Sequence, residues 1–198
     1  MTMSFLTGIW SALLGTWIRI GTSILPRTIH PMVLHFPIVL LYLAVLIEVV
    51  RYVGGRSREM FFQRAGFWVL TLSLFAIVAA AAAGVISEQF VRFTPQTAAL
   101  LSAHQTDAVL TGVLAMAAWI VRVFTKFPMD GRKSDRWSLF GTGRGRASIV
   151  SSLLVVGAMV MISITGSLGG TMVYHYGVGT PATLKSAPVT TGTNTSNS

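Results

Sequence analysis

Four long apolar runs alternate with short polar connections along this chain, at about residues 31–50, 65–86, 105–124 and 149–173. A helix needs about 20 apolar residues to cross the hydrocarbon core of a bilayer, and each run is long enough to do so. Backbone polar groups inside lipid must be satisfied within the structure, which favours helices. The pattern therefore predicts an all-α fold, a polytopic membrane four-helix bundle.

The segment before the first run has the periodicity of an amphipathic helix. Its large apolar residues recur three or four positions apart: Phe5, Leu6, Ile9, Trp10, Leu13, Leu14, Trp17 and Ile18. Thr7, Ser11, Gly15 and Arg19 fall between them. This predicts an N-terminal amphipathic helix lying in the membrane interface. A fifth crossing by residues 4–25 is the alternative interpretation.

The C-terminal end has a different composition from the rest of the chain. The residues after Gly179 are rich in Thr, Ser, Pro and Asn, which is typical of a disordered polar tail. The predicted organisation is therefore an interfacial helix at 1–27, a four-span domain at 28–179 and a tail at 180–198.

The overall composition agrees with a membrane protein. The chain is 53% hydrophobic and 11% charged, whereas about a quarter of the residues of an average soluble protein are charged. It contains no cysteine, which excludes disulfides, thiolate catalysis and cysteine-ligated metal or iron–sulfur centres.

Most of the basic residues behind the net charge of +9 lie in two connections and the adjoining helix ends. Eleven of the fifteen basic residues lie there: Arg51, Arg56, Arg58, Arg64, Arg122, Lys126, Arg132, Lys133, Arg136, Arg144 and Arg146. A nucleic-acid-binding protein would instead need a basic face on a soluble fold, so no nucleic-acid partner is predicted. The positive-inside rule places both connections in the cytoplasm, and the start of the first span and the C-terminus outside.

With this topology all four histidines gather at the outer end of the bundle. His30 and His35 start the first span, His104 starts the third, and His175 ends the fourth. Glu88 and Asp107 belong to the same layer. Polar groups at membrane depth are costly unless they pair or bind something, so this layer is the candidate site.

The histidines differ as candidate ligands. His35 is more than a turn deeper than His30, and the two rings are about 140° apart around the helix axis, so they cannot share one inward face. His30 near the headgroups has a helix-starting or snorkelling role as its alternative, and His175, between two tyrosines, could belong to an aromatic belt. His35 and His104 are therefore the preferred pair.

Neutral imidazole is a common ligand of zinc, copper and haem iron, and two axial histidines hold a haem b across a bundle without any cysteine. The sequence thus predicts a haem-b-binding or electron-transfer module with His35 and His104 as metal ligands. His30 and His175 are alternate ligands or cofactor contacts. The competing interpretation is a non-catalytic membrane assembly or scaffold protein whose histidines form an interhelical hydrogen-bond cluster with Asp107.

The sequence contains none of the phosphate-binding or nucleophile motifs considered next. Gly141-x-Gly143-x-Gly145 lacks phosphate-loop spacing and a preceding strand, and no Ser-x-x-Lys or Gly-x-Ser-x-Gly motif is present. Glu48 is expected to pair with Arg51 or Arg64 at the inner surface. The protein is therefore expected to be an electron-transfer subunit at most, with the lipid bilayer, other membrane redox subunits or a second copy as partners.

Two end motifs bring a family resemblance. The stretch "IHPMVLHFPIVLLYLAVLIEVV" and the later "TGSLGGTMVYHYGVG" resemble the opening and closing motifs of a bacterial family of four-helix predicted membrane proteins, a domain of unknown function. The resemblance covers about residues 28–179 and implies four spans in the bacterial cytoplasmic membrane. Through likeness to membrane b-type cytochromes it also implies a haem site on His35 and His104. Many relatives place a histidine where this chain has Ser167 or Tyr176, whereas here it is His175.

Overall fold

The structure is a computed structural model that describes residues 2–26, 29–53, 59–124 and 146–184. The described part contains six helices and no extended sheet: α1 Thr2–Ile24, α2 Ile29–Val33, α3 His35–Val53, α4 Glu59–Glu88, α5 Pro95–Phe124 and α6 Arg146–Tyr174. Four segments are long and apolar enough to cross a membrane: Ile29–Val53, Phe61–Glu88, Pro95–Phe124 and Ile149–Tyr174. The predicted all-α fold with four spans is confirmed.

The four long helices pack as a closed bundle. Neighbours around it are α3, α4, α5 and α6 in chain order, and α6 returns to α3. The interior is built mainly from small and medium-sized residues: Leu41, Ala44, Leu70, Ala115, Ala118, Val155, Ala158 and Ile162. Large side chains such as Phe75 and Trp68 point outward. Small interior residues let helix backbones approach closely, and lipid tails surround the large outer ones.

The first span is divided into two helices. α2 ends at Val33, Leu34 forms a turn, and α3 begins at His35. Pro37 has no backbone N–H, so the carbonyl four residues before it cannot receive its helical hydrogen bond. The break falls at that point. The predicted span at about 31–50 is confirmed as the segment Ile29–Val53, which the turn at Leu34 divides into two helices.

The third span starts ten residues before the predicted position. The Thr94 hydroxyl accepts from Thr97 N at 3.3 Å, and Thr97 Oγ1 accepts from Thr94 N at 2.8 Å, which is a reciprocal cap. Pro95 occupies the first helical position, where its missing N–H costs nothing. His104 therefore lies more than two turns inside α5 and does not start it.

The ends of the chain outside the bundle differ from each other. α1 is a helix as predicted, and its apolar side chains are largely exposed; it contacts α4 where Gly21 faces Ile86. α1 is not among the four candidate spans found in the described residues, and its place in the membrane interface stays a prediction.

Residues 180–184 were expected to begin the disordered tail, but they form turns, and Leu184 pairs with Val91. Residues 185–198, the rest of that tail, lie outside the described residues, as does the Gly141–Gly145 stretch.

Candidate functional site

His30 lies in α2 and reaches across to α4. Its Nδ1 is 3.0 Å from the Ala80 carbonyl oxygen, and its backbone N lies 3.4 Å from Ser87 Oγ. One turn beyond Ala80, a Cβ at Gly84 would lie 3.3 Å from the same Nδ1. The absence of a side chain at Gly84 lets the ring approach the carbonyl, so the α2–α4 contact is built around this imidazole.

His104 in α5 makes the same kind of contact with α6. Its Nδ1 is 2.9 Å from the Thr165 carbonyl oxygen. A Cβ at Gly169, again one turn beyond the acceptor, would lie 3.4 Å from the ring carbon Cε1. Both histidines therefore bind a carbonyl at position i of a neighbouring helix beside a glycine at i+4.

The two anchored rings lie next to each other. Their centroids are 6.3 Å apart, and their planes cross at 83°. A carbonyl oxygen can only accept, so Nδ1 carries the proton in each contact. In the neutral imidazole this leaves Nε2 with a free lone pair, which is the atom that binds a metal in such arrangements.

The other two histidines lie apart from this arrangement. His35 is exposed, and its Nδ1 lies 2.8 Å from the Pro31 carbonyl oxygen of its own chain segment. His175 is also exposed, with its ring 4.7 Å from that of Tyr176. The structure thus brings His30, and not His35, against His104. His30 in α2 is half-buried against α4, whereas His35 at the start of α3 is exposed.

The acidic residues of this end are not bonded to the histidines. Glu88 Oε1 accepts from Gln105 Nε2 at 2.8 Å. The competing interpretation included a hydrogen bond between His104 and Asp107, but in the structure His104 Nδ1 binds the Thr165 carbonyl instead. The interhelical hydrogen bonds at this end therefore join the two histidines to backbone carbonyls and not to Asp107.

The His30–His104 pair can be tested as a donor set. In the described residues no group of three or more His, Cys, Asp or Glu side chains could hold a metal ion. Zinc needs three or four protein ligands, whereas haem iron needs one or two axial ligands from the protein. Imidazole nitrogens bind metals at about 2.0–2.1 Å, which puts two rings on one ion roughly 6 Å apart. By the number of protein ligands it offers, the pair suits haem iron better than zinc.

A second polar cluster lies at the opposite end of the bundle. Arg122 Nη2 donates to Glu48 Oε1 at 2.6 Å, Ser152 Oγ donates to Glu48 Oε2 at 2.6 Å, and Arg51 lies 3.4 Å from the same carboxylate. Arg122 Nε donates to Ser151 Oγ at 2.7 Å. Glu48, Arg51 and Arg122 are all less than a tenth exposed.

The sequence predicted only part of this second cluster. The pairing of Glu48 with Arg51 is confirmed, but Arg122 was assigned only to the basic inner surface. Thr111, Ala115, Ala118 and Arg122 are all buried and spaced three or four apart. That periodicity places Arg122 on the interior face of α5. It is the feature of the sequence that could have predicted the burial of Arg122.

We call the two layers the histidine end (His30, His104) and the arginine end (Glu48, Arg51, Arg122). A lipid-exposed four-helix bundle with polar clusters at both ends defines a polytopic integral membrane protein. Residues 26–182 match the family model DUF2231, described as predicted membrane protein. The chain belongs to this family. No curated protein and no solved structure matches it.

Proposed function

We propose that this protein is a haem-b-binding electron-transfer module in which the imidazoles of His30 and His104 would hold the haem iron. The observation that carries the proposal is the pair itself: two adjacent rings, each with Nδ1 on a backbone carbonyl and Nε2 left free. His35 and His175, which the sequence also offered as ligands or cofactor contacts, are exposed, and the proposal gives them no ligand role.

The chain supplies orientation and basicity at this site. A hydrogen bond from Nδ1 to a carbonyl fixes the ring and its tautomer and makes Nε2 a better donor. The Ala80 and Thr165 carbonyls belong to α4 and α6, which are not neighbours around the bundle, so the rings are held from two sides. When bound, the haem would supply one-electron redox chemistry.

The test is the optical spectrum of the full chain purified in mild detergent from haem-sufficient cells. We expect a Soret band that shifts on reduction. His30→Ala and His104→Ala should lose most of the absorbance per milligram, whereas His35→Ala and His175→Ala should keep it. His30→Met retains a ligand, so it should keep pigment and raise the reduction potential. A colourless parent, or equal absorbance in all four alanine variants, would reject haem ligation.

The second candidate function is membrane assembly without a cofactor. It is favoured by the finding that each histidine already joins two helices through its carbonyl contact. In that case the parent is colourless, and His104→Ala lowers thermal stability while leaving every spectrum unchanged. The spectrum of the parent alone separates the two functions.

For localisation we propose the bacterial cytoplasmic membrane, with the arginine end inside and the histidine end outside. The basic residues of the two connections support this orientation through the positive-inside rule. Reporter fusions at Lys133 and Ser198 test it: we expect cytoplasmic activity at Lys133 and external activity at Ser198. Cytoplasmic activity at both would contradict the topology.

A further inference from the structure

The bundle consists of two helical hairpins, α2–α4 and α5–α6, whose inward-facing residues follow the same register. Four buried positions of α3 recur in α5: Pro37, Leu41, Ala44 and Glu48 correspond to Thr111, Ala115, Ala118 and Arg122. Each residue in α5 lies 74 positions after its counterpart in α3. A spacing of three and four residues is common to inward-facing helices, so the residues that make interhelical contacts decide whether the match has meaning.

The histidine contacts repeat in the same register. His104 follows His30 by the same interval, and each imidazole binds a backbone carbonyl on the second long helix of its own hairpin. The acceptors are Ala80 and Thr165, and a glycine follows each acceptor by four residues. The two hairpins therefore make one internal contact of the same kind in the same place.

The contacts of the arginine end correspond as well. Gly66 in α4 and Ser151 in α6 precede the two acceptor residues of their helices by the same number of positions. Both contact the central ion pair: a Cβ at Gly66 would lie 3.2 Å from Glu48 Oε1, and Ser151 Oγ accepts from Arg122 Nε at 2.7 Å. One register thus relates both helices of each hairpin at both ends of the bundle.

A two-fold rotation about the long axis of the bundle accounts for this register. It exchanges α3 with α5 and α4 with α6, which lie diagonally across the bundle. The His30 and His104 rings, 6.3 Å apart, and the Glu48–Arg122 pair, 2.6 Å apart, each join one hairpin to the other across the centre. Both pairs therefore lie at the axis. Parallel repeats related by an axis along the membrane normal are an established architecture of membrane proteins.

The matched positions at the arginine end carry opposite charges. Two identical hairpins in this arrangement would bring Glu48 against a second glutamate, or Arg122 against a second arginine, in a buried place. Like charges brought together in an interface are strongly unfavourable, and a buried charge without an opposite partner is costly. An interface becomes specific when it disfavours the wrong partner as well as favouring the right one.

We infer that the chain is an internal pseudo-two-fold pair of hairpins and that Glu48 and Arg122 are its specificity-determining residues. They make the inner face of the α2–α4 hairpin pair with the α5–α6 hairpin and disfavour pairing of either hairpin with its own kind. The partner that this face fits is a hairpin of matching register and opposite central charge. The inference uses no ligand at the histidine end, so it does not rest on haem binding.

The experiment inverts the two charges in the full chain, separately and together, and measures the thermal midpoint and the yield of monomer in mild detergent. Glu48→Arg and Arg122→Glu each reproduce the charges of a hairpin paired with its own kind and should lower the midpoint by about 10 °C or more. The double variant restores opposite charges at equivalent positions and should recover at least half of that loss. Recovery is incomplete because the inverted charge at position 48 then lies beside Arg51.

If neither single variant purifies, recovery of the double variant as a folded monomer supports the inference in the same way. A double variant no more stable than the single variants, or one that does not purify either, would overturn it.

A second pair of substitutions tests the equivalence of the hairpins without charge. Leu41 and Ala115 are matched, fully buried positions of the core. Leu41→Ala leaves a cavity that Ala115→Leu should fill from across the axis, so this double variant should have a higher midpoint than Leu41→Ala alone. The control is Leu41→Ala/Ala118→Leu, which restores the same volume one turn away, at the position matched with Ala44. It should be no more stable than Leu41→Ala, and equal midpoints of the two double variants would contradict the two-fold relation.

Discussion

The two ends of the bundle satisfy buried polar side chains in different ways. At the histidine end, two rings bind backbone carbonyls of neighbouring helices, and each neutral ring keeps one nitrogen free. At the arginine end, the side chains bind one another, and both oxygens of Glu48 accept hydrogen bonds. The first arrangement leaves ligand capacity, whereas the second uses the carboxylate fully. Function is therefore expected at the histidine end and cohesion at the arginine end.

Glycine makes both arrangements possible. Gly84 and Gly169 stand against the two rings, and a Cβ at Gly66 would lie 3.2 Å from both Arg122 Nη1 and Glu48 Oε1. In each case a bulky or branched polar group passes directly over the backbone of a neighbouring helix. By contrast, Gly166 has no atom within 4 Å of such a Cβ, so it offers a control position.

The largest effect is expected from Arg122→Met. Removing one partner of a buried ion pair leaves an uncompensated charge, which costs about 3–5 kcal/mol. Arg51 still contacts Glu48, so we expect the lower part of that range. The measurement is the free energy of unfolding in detergent, or the thermal midpoint of the purified chain. The exposed Arg92→Ala, which keeps its backbone N–H bond to Thr183, should stay within about 0.5 kcal/mol of the parent.

If Arg122→Met were as stable as Arg92→Ala, the arginine end would not hold the bundle together. The contrast between a cohesive arginine end and a histidine end with the proposed ligand site would then fail.

The fold could be predicted from the sequence because the chain has few charged residues and four long apolar runs. Runs of that length in such a chain are compatible with few structures other than membrane-spanning helices. The helix boundaries that the sequence did not predict depend on single residues. α5 begins at Pro95, capped by Thr94, in a polar stretch where a hydropathy pattern gives no signal for a helix start. Pro37 interrupts the first span within a run that is apolar throughout. Apolar content locates a helix within the membrane but does not fix where the helix begins or breaks.

The candidate site was predicted at the level of its layer, not of its contacts. Depth favoured His35, but side-chain direction decides which ring reaches the interior, and direction depends on the turn at Leu34. The two acceptors are the backbone carbonyls of Ala80 and Thr165. Every residue has a backbone carbonyl, so the sequence does not indicate which ones accept these hydrogen bonds. The glycines four residues after each acceptor are visible in the sequence, yet glycine in a membrane helix usually indicates only close packing.

Ser151→Ala is expected to have the second largest effect. The buried hydroxyl accepts from Arg122 Nε and donates to the Ala118 carbonyl. Its loss leaves a charged donor short of an acceptor, which costs about 2 kcal/mol. Ser73→Ala is the matched control: Ser73 is equally buried, but its hydroxyl donates to the Val69 carbonyl of its own helix, so its loss should cost less than about 1 kcal/mol. Equal losses in thermal midpoint would show that Ser151 does not support Arg122.

Gly84→Ala probes the histidine end in the same assay. The added methyl meets the His30 ring at 3.3 Å, so the ring or the helix must shift. Overpacking of this kind costs about 1 kcal/mol or more, and under the haem proposal it should also perturb the spectrum. Gly166→Ala, with open space around it, should be neutral or slightly stabilising because alanine is the better helix former. A spectrum altered by Gly166→Ala and not by Gly84→Ala would place the site elsewhere.

The smallest effect is expected from His35→Ala. The His35 ring is exposed and binds the Pro31 carbonyl of its own segment, so it joins no two helices. Its removal should change stability by no more than about 0.5 kcal/mol, as for other surface positions. His30→Ala removes an interhelical hydrogen bond and should cost about 1 kcal/mol. Thermal midpoints of the two variants in one detergent test this order. A His35→Ala variant less stable than His30→Ala would return His35 to the interior and reverse the assignment of the histidine pair.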